Sequence, residues 1–182
     1  VHQILDCRSH THTMQLPYDI FLSHSWDGAT HERVLRIARI LQRCGIRVWV
    51  DADHIFPGRN ALGQMASGIV QSEYFGMFVS ETYIKKVNEQ DNNVAREFTL
   101  ATCAKKPLLC VLLEARMRRV SDRPPGIFTM VLGDTVYIDG CESSDDEIAA
   151  CIATNIRRRR RQVFRSLSKK TLSVKVPTVV HL

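Results

Sequence analysis

Five almost continuously apolar runs recur along the chain, and longer segments of mixed polarity separate them. The runs cover residues 18–22, 46–50, 74–79, 107–113 and 135–138. A strand that is exposed on one face alternates apolar and polar residues, whereas continuous apolar runs are typical of parallel strands buried on both faces. The pattern predicts five parallel strands, of which the short fifth lies at an edge of the sheet.

Amphipathic segments between these runs predict helices over residues 31–43, 60–70, 93–104 and from 143 onward. Thr30 and Asn60 are suitable N-caps for the first two helices, and Gly45 fits the left-handed position after the first. In the last helix, acidic residues occupy the first turn and arginines follow near the end, as the helix dipole favours. Residues 81–93 are predicted to be a polar stretch along the surface, and residues 114–128 to be irregular.

Strands that alternate with helices predict a doubly wound, flavodoxin-like α/β domain. Its expected sheet has five parallel strands in the order 2-1-3-4-5, with helices on both faces. In that order the first and third strands are neighbours at the topological switch point, where open α/β sheets bind ligands at the carboxyl ends of their strands. The residues after Leu22 and after Val79 should therefore flank one cleft.

The net charge differs in sign between the part of the chain up to Glu147 and the part after it, which contains a run of arginines. The net charge of +6 combines nine basic and no acidic residues after Glu147 with 16 basic and 19 acidic residues up to that point. We predict three parts, namely a leader over residues 1–17, a domain over 18–156 and a basic extension over 157–182. The extension is interpreted as a solvated segment, and an anionic membrane surface, nucleic acid and nuclear targeting are the alternatives for its five arginines.

The chain is expected to be a cytoplasmic protein in a reducing compartment. Six cysteines are present, several of them inside apolar runs and none at CxxC spacing, so the sequence gives no signal for a zinc site. No apolar run approaches the roughly 18 residues that span a bilayer, and the first residues lack the pattern of a signal peptide. We expect no metal and no resident cofactor.

Several chemistries of flavodoxin-like domains are excluded by the residues at the strand ends. The chain has no GxxxxGK phosphate loop, no GxGxxG fingerprint and no GxSxG elbow. A phospho-receiver domain would need acidic residues where this chain has Ser23, His24, Ser25 and Ser80. His24 between two serines invites comparison with a catalytic triad, but the sequence offers no third member.

Four blocks of sequence together resemble the Toll/interleukin-1 receptor (TIR) domain family. They are YDIFLSHS at residues 18–25, GIRVWVD at 45–51, GIVQS at 68–72 with FVS at 78–80, and AREF at 95–98 with PLL at 107–109. Pro57 and Gly58 lie where the family's BB loop carries a glycine, often after proline. The resemblance covers about residues 18–156 and implies the fold predicted above.

The resemblance implies two kinds of function. TIR domains act as signalling scaffolds that bind other TIR domains or copies of themselves, largely through the BB loop, which here contains Ile55, Phe56, Pro57 and Gly58. Some members instead cleave NAD+ and release nicotinamide, and in these a glutamate on the helix after the third strand is essential. Glu97 occupies that position in this chain.

An NAD+ site would be lined by residues from the first strand, the loop after it and the BB loop. The candidates are Phe21, Ser23, Ser25, Trp26 and Phe56. Enzymatic members commonly have an aromatic residue shortly before the glutamate, where residues 91–94 of this chain contain none. The ring that stacks on the substrate would then come from Trp26 or Phe56, whereas Trp49 follows a strand pattern and is expected in the core.

The sequence therefore predicts a TIR signalling module that forms homo-oligomers on activation and cleaves NAD+, with Glu97 as the catalytic carboxylate of an NAD+ nucleosidase. NAD+ would be a substrate and not a cofactor. A non-enzymatic adaptor or receptor domain that binds other TIR domains through the BB loop is the alternative. A base-exchanging or deoxyribosyl-transferring enzyme with a similar fold is a third class.

Overall fold

The computed structural model describes residues 16–89, 91–133 and 135–172, with side chains up to residue 162. Most of the predicted leader lies outside the described residues. The strands are β1 (Tyr18–His24), β2 (Val48–Trp49), β3 (Ser72–Val79), β4 (Leu108–Leu112) and β5 (Tyr137–Asp139). The helices are α1 (Gly28–Arg43), α2 (Asp51–His54), α3 (Ala61–Val70), α4 (Glu81–Glu89), α5 (Asn93–Cys103), α6 (Ile127–Leu132) and α7 (Asp145–Leu172).

The strands form one parallel sheet in the order β2-β1-β3-β4-β5, which confirms the predicted fold class. β1 lies at the switch point, with β2 on one side and β3 on the other. The register pairs Ser23 with Met77 and His24 with Phe78, so the carboxyl ends of β1 and β3 reach the same edge of the sheet. The segments that follow the two strands therefore meet at one place.

Two apolar clusters, one on each face of the sheet, hold the helices in place. On one face, α1 and α7 bury residues such as Ile37 and Ile152 against the strands. On the other face, α3 and α5 bury residues such as Ile69 and Phe98, and α4 packs beside them. Because helices cover both faces, the strands are buried on both sides, and continuous apolar runs suit this environment.

Trp49 lies in the core, as its strand pattern predicts. Its indole is buried and stacks on Phe21, with the ring centroids 4.4 Å apart. Gly68 of α3 packs against the same ring, and a Cβ atom at this position would overlap the indole. Any larger residue at position 68 would therefore push α3 away from the sheet, because a close-packed core has no spare volume there.

Several local predictions are wrong. α1 begins at Gly28, three residues before the predicted start, and Asp27 instead of Thr30 is its N-cap. β2 is confined to two residues, α4 occupies the segment predicted to be a polar surface stretch, and α6 begins at the end of the segment predicted to be irregular. In α4, Tyr83, Ile84 and Val87 have helical spacing and are buried, but polar residues separate them from any longer apolar pattern. So short a stripe is difficult to detect by periodicity.

The side chains of the arginine run are mostly exposed, and several of them nevertheless contact the folded domain. α7 continues without a break past the predicted end of the domain. Arg157, Arg159 and Arg160 each contact other parts of the chain. Asp19, at the start of β1, is fully buried and pairs with both Arg160 and Arg47. These contacts attach the second half of α7 to the amino-terminal edge of the sheet.

The described cysteines are all free thiols. Cys110, inside the apolar run of β4, is buried, whereas Cys44, Cys103 and Cys151 are exposed. Among the helices that the structure describes, none is long and apolar enough to cross a membrane.

Candidate active site

The polar edge of the sheet is built from the segments that follow β1 and β3. Ser25 donates a hydrogen bond to Asp27, and its Oγ lies 3.2 Å from Ser80 Oγ. Ser80 caps α4, because its Oγ accepts from the backbone N–H of Tyr83 at 3.1 Å. These bonds join the two segments and leave both serines buried.

Glu97 reaches the same edge from α5. Asn92 caps this helix by accepting from the N–H of Ala95, and Phe98 packs into the core. Glu97, one residue before Phe98, lies at the border of the buried stripe, and its Oε2 accepts a hydrogen bond from Ser23 at 2.7 Å. Two residues 74 positions apart in sequence are thus in direct contact at the switch point.

Tyr83 extends this contact into the core. Its side chain is fully buried, and its ring packs edge-on against Phe128 with 6.0 Å between the centroids. Tyr83 Oη lies 3.0 Å from Ser23 Oγ. Burial raises the pKa of the phenol well above its usual value, so the group is protonated at neutral pH. Tyr83, Ser23 and Glu97 therefore form a continuous chain of hydrogen bonds.

The Glu97 carboxyl has a pKa raised to about 8. Burial is the largest cause, and the negative charge of Asp51 adds to it, whereas the hydrogen bond from Ser23 opposes the rise in pKa. The side chain as a whole is half-buried, with one carboxylate oxygen turned inward to Ser23. A carboxyl group with such a pKa exchanges its proton near neutral pH, as acids and bases in active sites commonly do.

A groove of about 200 Å³ lies beside Glu97, between α3 and α5. Its walls include Leu62, Met65, Ile69, Asn93, Glu97 and Leu100. The volume is smaller than the roughly 300–1,000 Å³ of pockets that enclose a whole drug-sized ligand. A mainly apolar groove of this size, with Arg96 and Glu97 as the ionisable groups in its wall, suits a single flat ring while the rest of a ligand lies outside.

The loop after β2 combines the short helix α2 with a turn. Asp51 begins α2 and is buried, and Ile55 packs against the core, whereas Phe56 is 55% exposed. Pro57 and Gly58 form the exposed tip, and Gly58 has a φ of +79°, a conformation that favours glycine. Ile55 therefore anchors the loop and Phe56 faces solvent, a distinction that the sequence pattern does not make.

Trp26 presents an exposed aromatic ring next to the end of β1. The residue is 63% exposed and stacks on His31, with ring centroids 4.4 Å apart. His31 Nδ1 in turn lies 2.8 Å from Nε2 of the buried His24. Burial lowers the pKa of His24, and the charge of Asp51 opposes this effect. The stack holds the indole in place and leaves it accessible to an aromatic ligand.

Three of the predicted nucleotide-site residues, Phe21, Ser23 and Ser25, are buried. Phe21 is 1% exposed, and its ring stacks on Trp49 and Phe75. Ser25 is fully buried, with its hydroxyl bonded to neighbouring side chains. Burial argues against direct contact of these side chains with a nucleotide, and their part in binding stays a prediction. Ser23 contacts Glu97, and for the accessible Trp26 the role in binding stays a prediction.

Sequence reasoning missed Tyr83, which contacts Ser23, and Asp51, whose charge acts on Glu97. Tyr83 lies in a segment predicted to be a polar surface stretch, and only its spacing from Ile84 and Val87 could have indicated its burial. Asp51 ends an apolar strand run, and an acidic residue at that position was a signal for a charge near the switch point. In the part of the chain that the structure describes, no three His, Cys, Asp or Glu side chains are arranged to hold a metal ion.

Comparison with known proteins gives these features a family context. The sequence profile of the TIR domain matches residues 20–154. The chain is 30% identical over 145 residues to 2′ cyclic ADP-D-ribose synthase AbTIR of Acinetobacter baumannii (strain 1295743), which covers 78% of the chain and 50% of that protein. It is 31% identical over 83 residues to the probable 2′ cyclic ADP-D-ribose synthase TcpO of Methanobrevibacter olleyae, which covers 44% of the chain and 24% of that protein. The chain thus spans half or less of the length of these relatives.

Solved structures agree on the fold. The TIR domain of the Toll-related receptor TRR-2 from Hydra magnipapillata is similar with a TM-score of 0.51 and 18% identity, over 83% of this chain and 98% of that domain. The profile match extends from β1 into α7 and includes Ser23, Tyr83 and Glu97. The chain therefore belongs to the TIR domain family.

Proposed function

We propose that this TIR domain cleaves the N-glycosidic bond of NAD+ and releases nicotinamide, with Glu97 as the catalytic carboxylate. The observation that carries the proposal is the placement of the Glu97 carboxyl at the switch point, bonded to Ser23 and beside a groove with room for one ring. The two curated relatives, both named as 2′ cyclic ADP-D-ribose synthases, support the same chemistry.

The reaction requires little of the protein besides a well-placed negative charge. In NAD+ the nicotinamide ring is a cation, and when the bond from ribose C1′ to the ring nitrogen breaks, the bonding electrons neutralise the ring. The positive charge passes to the ribose as an oxocarbenium ion. A carboxylate fixed beside the ribose stabilises this charge as it develops, and the departing ring needs no proton.

Capture of the oxocarbenium ion completes the reaction. If water attacks C1′, it loses a proton and the product is ADP-ribose. If a hydroxyl group of the same molecule attacks C1′ and loses its proton, the product is cyclic, and the names of the relatives favour this outcome. Both routes share the bond cleavage that we assign to Glu97.

Glu97 has to be ionised when the bond breaks. With a pKa of about 8, the resting carboxyl is mostly protonated at pH 7. A nicotinamide cation in the neighbouring groove favours the carboxylate, because an opposite charge within a few ångströms lowers a carboxyl pKa. Substrate binding and ionisation of Glu97 are therefore coupled in this proposal. Trp26, three residues after Ser23, is the accessible ring that we assign to stacking on the substrate.

Release of nicotinamide from NAD+ tests the proposal, with the protein both concentrated in solution and clustered on a scaffold. Glu97→Gln keeps the size of the side chain and removes its charge, and we expect it to slow release about 100-fold or more. Glu89→Gln, at the exposed end of α4, is the matched control and should release nicotinamide like the wild type. No release by the clustered wild type, or equal release by Glu97→Gln, would contradict the proposal.

We further propose that the domain associates with copies of itself through the loop after β2. Phe56 is a large apolar side chain that the fold leaves exposed beside a turn, and such residues are common at the centre of interfaces. A non-enzymatic adaptor would have this property alone. The nicotinamide assay therefore separates the adaptor alternative from the enzyme.

A further inference from the structure

Tyr83 occupies a position from which it controls the hydrogen bond to Glu97 without reaching the groove. Its phenol is fully buried below Ser23, and Ser23 lies between the phenol and the carboxylate. We propose that Tyr83 is a positioning residue, which donates to Ser23 and so obliges the Ser23 hydroxyl to donate to Glu97. This inference rests on the proposed function of Glu97.

The direction of this series of hydrogen bonds follows from the number of hydrogen atoms that each hydroxyl group can donate. Each hydroxyl group donates one hydrogen bond, and Ser23 Oγ is the partner of Tyr83 Oη among the described residues. A buried O–H group without an acceptor is unfavourable, so Tyr83 donates to Ser23. The hydrogen of Ser23 is then directed to Glu97 Oε2, 2.7 Å away.

The opposite direction leaves a donor without an acceptor. If Ser23 donated to Tyr83, the phenol hydrogen would have no acceptor among the described residues, and Glu97 would have to be protonated to donate to Ser23. The buried phenol thus favours the arrangement that stabilises the ionised carboxylate. Tyr83 acts on the charge of Glu97 across two hydrogen bonds.

Packing alone does not require the hydroxyl group of Tyr83. The ring lies in the apolar cluster on the α4 side of the sheet, edge-on to Phe128. Phenylalanine would fill the same space, so Tyr83→Phe removes the donor and keeps the contacts of the ring. This substitution therefore separates positioning of Glu97 from support of the core.

A titration of the Glu97 carboxyl carbon by NMR tests the inference without reference to activity. The protein carries ¹³C-labelled glutamate, and the Glu97 signal is the one lost in Glu97→Gln. We expect Tyr83→Phe to raise the midpoint of the titration by about half a pH unit and Ser23→Ala by about one. The double variant should match Ser23→Ala, because Tyr83 acts through Ser23. Asp51, whose charge also acts on Glu97, is the same in all variants.

Tyr137→Phe is the matched control. Tyr137 lies on β5, at the far edge of the sheet. The Glu97 signal of this variant should have the same titration midpoint as in the wild type. In the nicotinamide assay, Tyr83→Phe should be about threefold slower than the wild type at pH 7, and the difference should shrink at pH 9, where Glu97 is ionised in both proteins. A purely structural role would lower the rate equally at both pH values.

Two results would overturn the inference, namely an unchanged midpoint in Tyr83→Phe or a further rise in the double variant beyond Ser23→Ala. Failure of the proposed function has a different signature. In that case the midpoints shift as expected, and neither the wild type nor any variant releases nicotinamide. The positioning of Glu97 by Tyr83 would then stand by itself.

Discussion

The protonation state of Glu97 results from opposing neighbours. Burial and the charge of Asp51 favour the neutral acid, and the hydrogen bond from Ser23 favours the carboxylate. A fully solvated glutamate would be ionised but screened by water, and its effect on a developing charge would be small. In the folded domain the carboxyl is desolvated and has a pKa of about 8. A cationic substrate beside it can lower this pKa enough to ionise the group near neutral pH.

This carboxyl should also make stability depend on pH. Its pKa is about 8 in the folded protein against an ordinary value of 4.5, so between these values the folded protein holds a proton that the unfolded chain has released. Stability therefore falls as pH rises through this interval. We expect Glu97→Gln to be more stable than the wild type by about 1–2 kcal/mol at pH 8.5 and equal to it at pH 5.

Urea unfolding at the two pH values measures this difference. Glu89→Gln again serves as the control, because its exposed side chain should have no effect at either pH. A Glu97→Gln variant that is less stable than the wild type at pH 8.5 would show that the carboxylate is well accommodated in the fold.

At the scale of elements, the central strands were predictable because burial on both faces leaves a continuous apolar run in the sequence. β2 is shorter than its run, because only Val48 and Trp49 pair with β1. α4 was not predictable, since its stripe of Tyr83, Ile84 and Val87 is short. Because α4 was not predicted, the buried phenol of Tyr83 next to Ser23 was not predicted either.

The contacts of the arginine run were not predictable for a different reason. A run of arginines has no apolar periodicity, so the sequence pattern does not reveal that some of them pair with groups on the sheet. Arg160 and Arg161 are neighbours, and of these two only Arg160 pairs with the buried Asp19 in the described part of the chain. Such a partner can be identified only when the strand and the helix are seen together.

Arg160→Ala should destabilise the domain by about 1 kcal/mol, since Asp19 would lose one of its two cationic partners while Arg47 remains. Burial raises the pKa of Asp19, but the bonds to Arg47 and the charge of Arg160 outweigh this effect and hold the pKa below 3.8. The carboxylate therefore contributes stability above pH 3.8 that is lost as pH falls through its lower folded-state pKa.

Chemical unfolding of Arg160→Ala beside the exposed neighbour Arg161→Ala checks this prediction. Arg161→Ala should stay within about 0.5 kcal/mol of the wild type. The difference between the wild type and Arg160→Ala should also shrink in acid below pH 3.8. Equal effects of the two substitutions would mean that the pair with Asp19 contributes nothing specific.

At the scale of the whole molecule, the site exists because the topology makes β1 and β3 neighbours. The order of the elements was enough to predict a cleft after Leu22 and Val79. It was not enough to predict which side chains enter that cleft, because the direction of a side chain depends on helix orientation and packing. Phe21 and Ser25 illustrate this limit, since both lie near the end of β1 and both are buried.

Association of whole domains should depend on Phe56. We expect Phe56→Asp to weaken self-association about tenfold or more, because a charge would replace an apolar contact at the tip of the loop. Analytical ultracentrifugation over a concentration series measures the effect. Val70→Asp, at a side chain of similar exposure on α3 (53% against 55%), is the control and should associate like the wild type. Unaltered association of Phe56→Asp would exclude the loop from the interface.

The pH dependence of nicotinamide release by the clustered wild type is the most direct test of the role assigned to Glu97. If the free protein must ionise Glu97 to act, kcat/KM should rise about tenfold per pH unit below pH 8 and level off above it. Glu97→Gln should show little release and no such rise. A wild-type profile that is flat from pH 6 to 9, or a Glu97→Gln variant that follows the wild-type profile, would contradict the account.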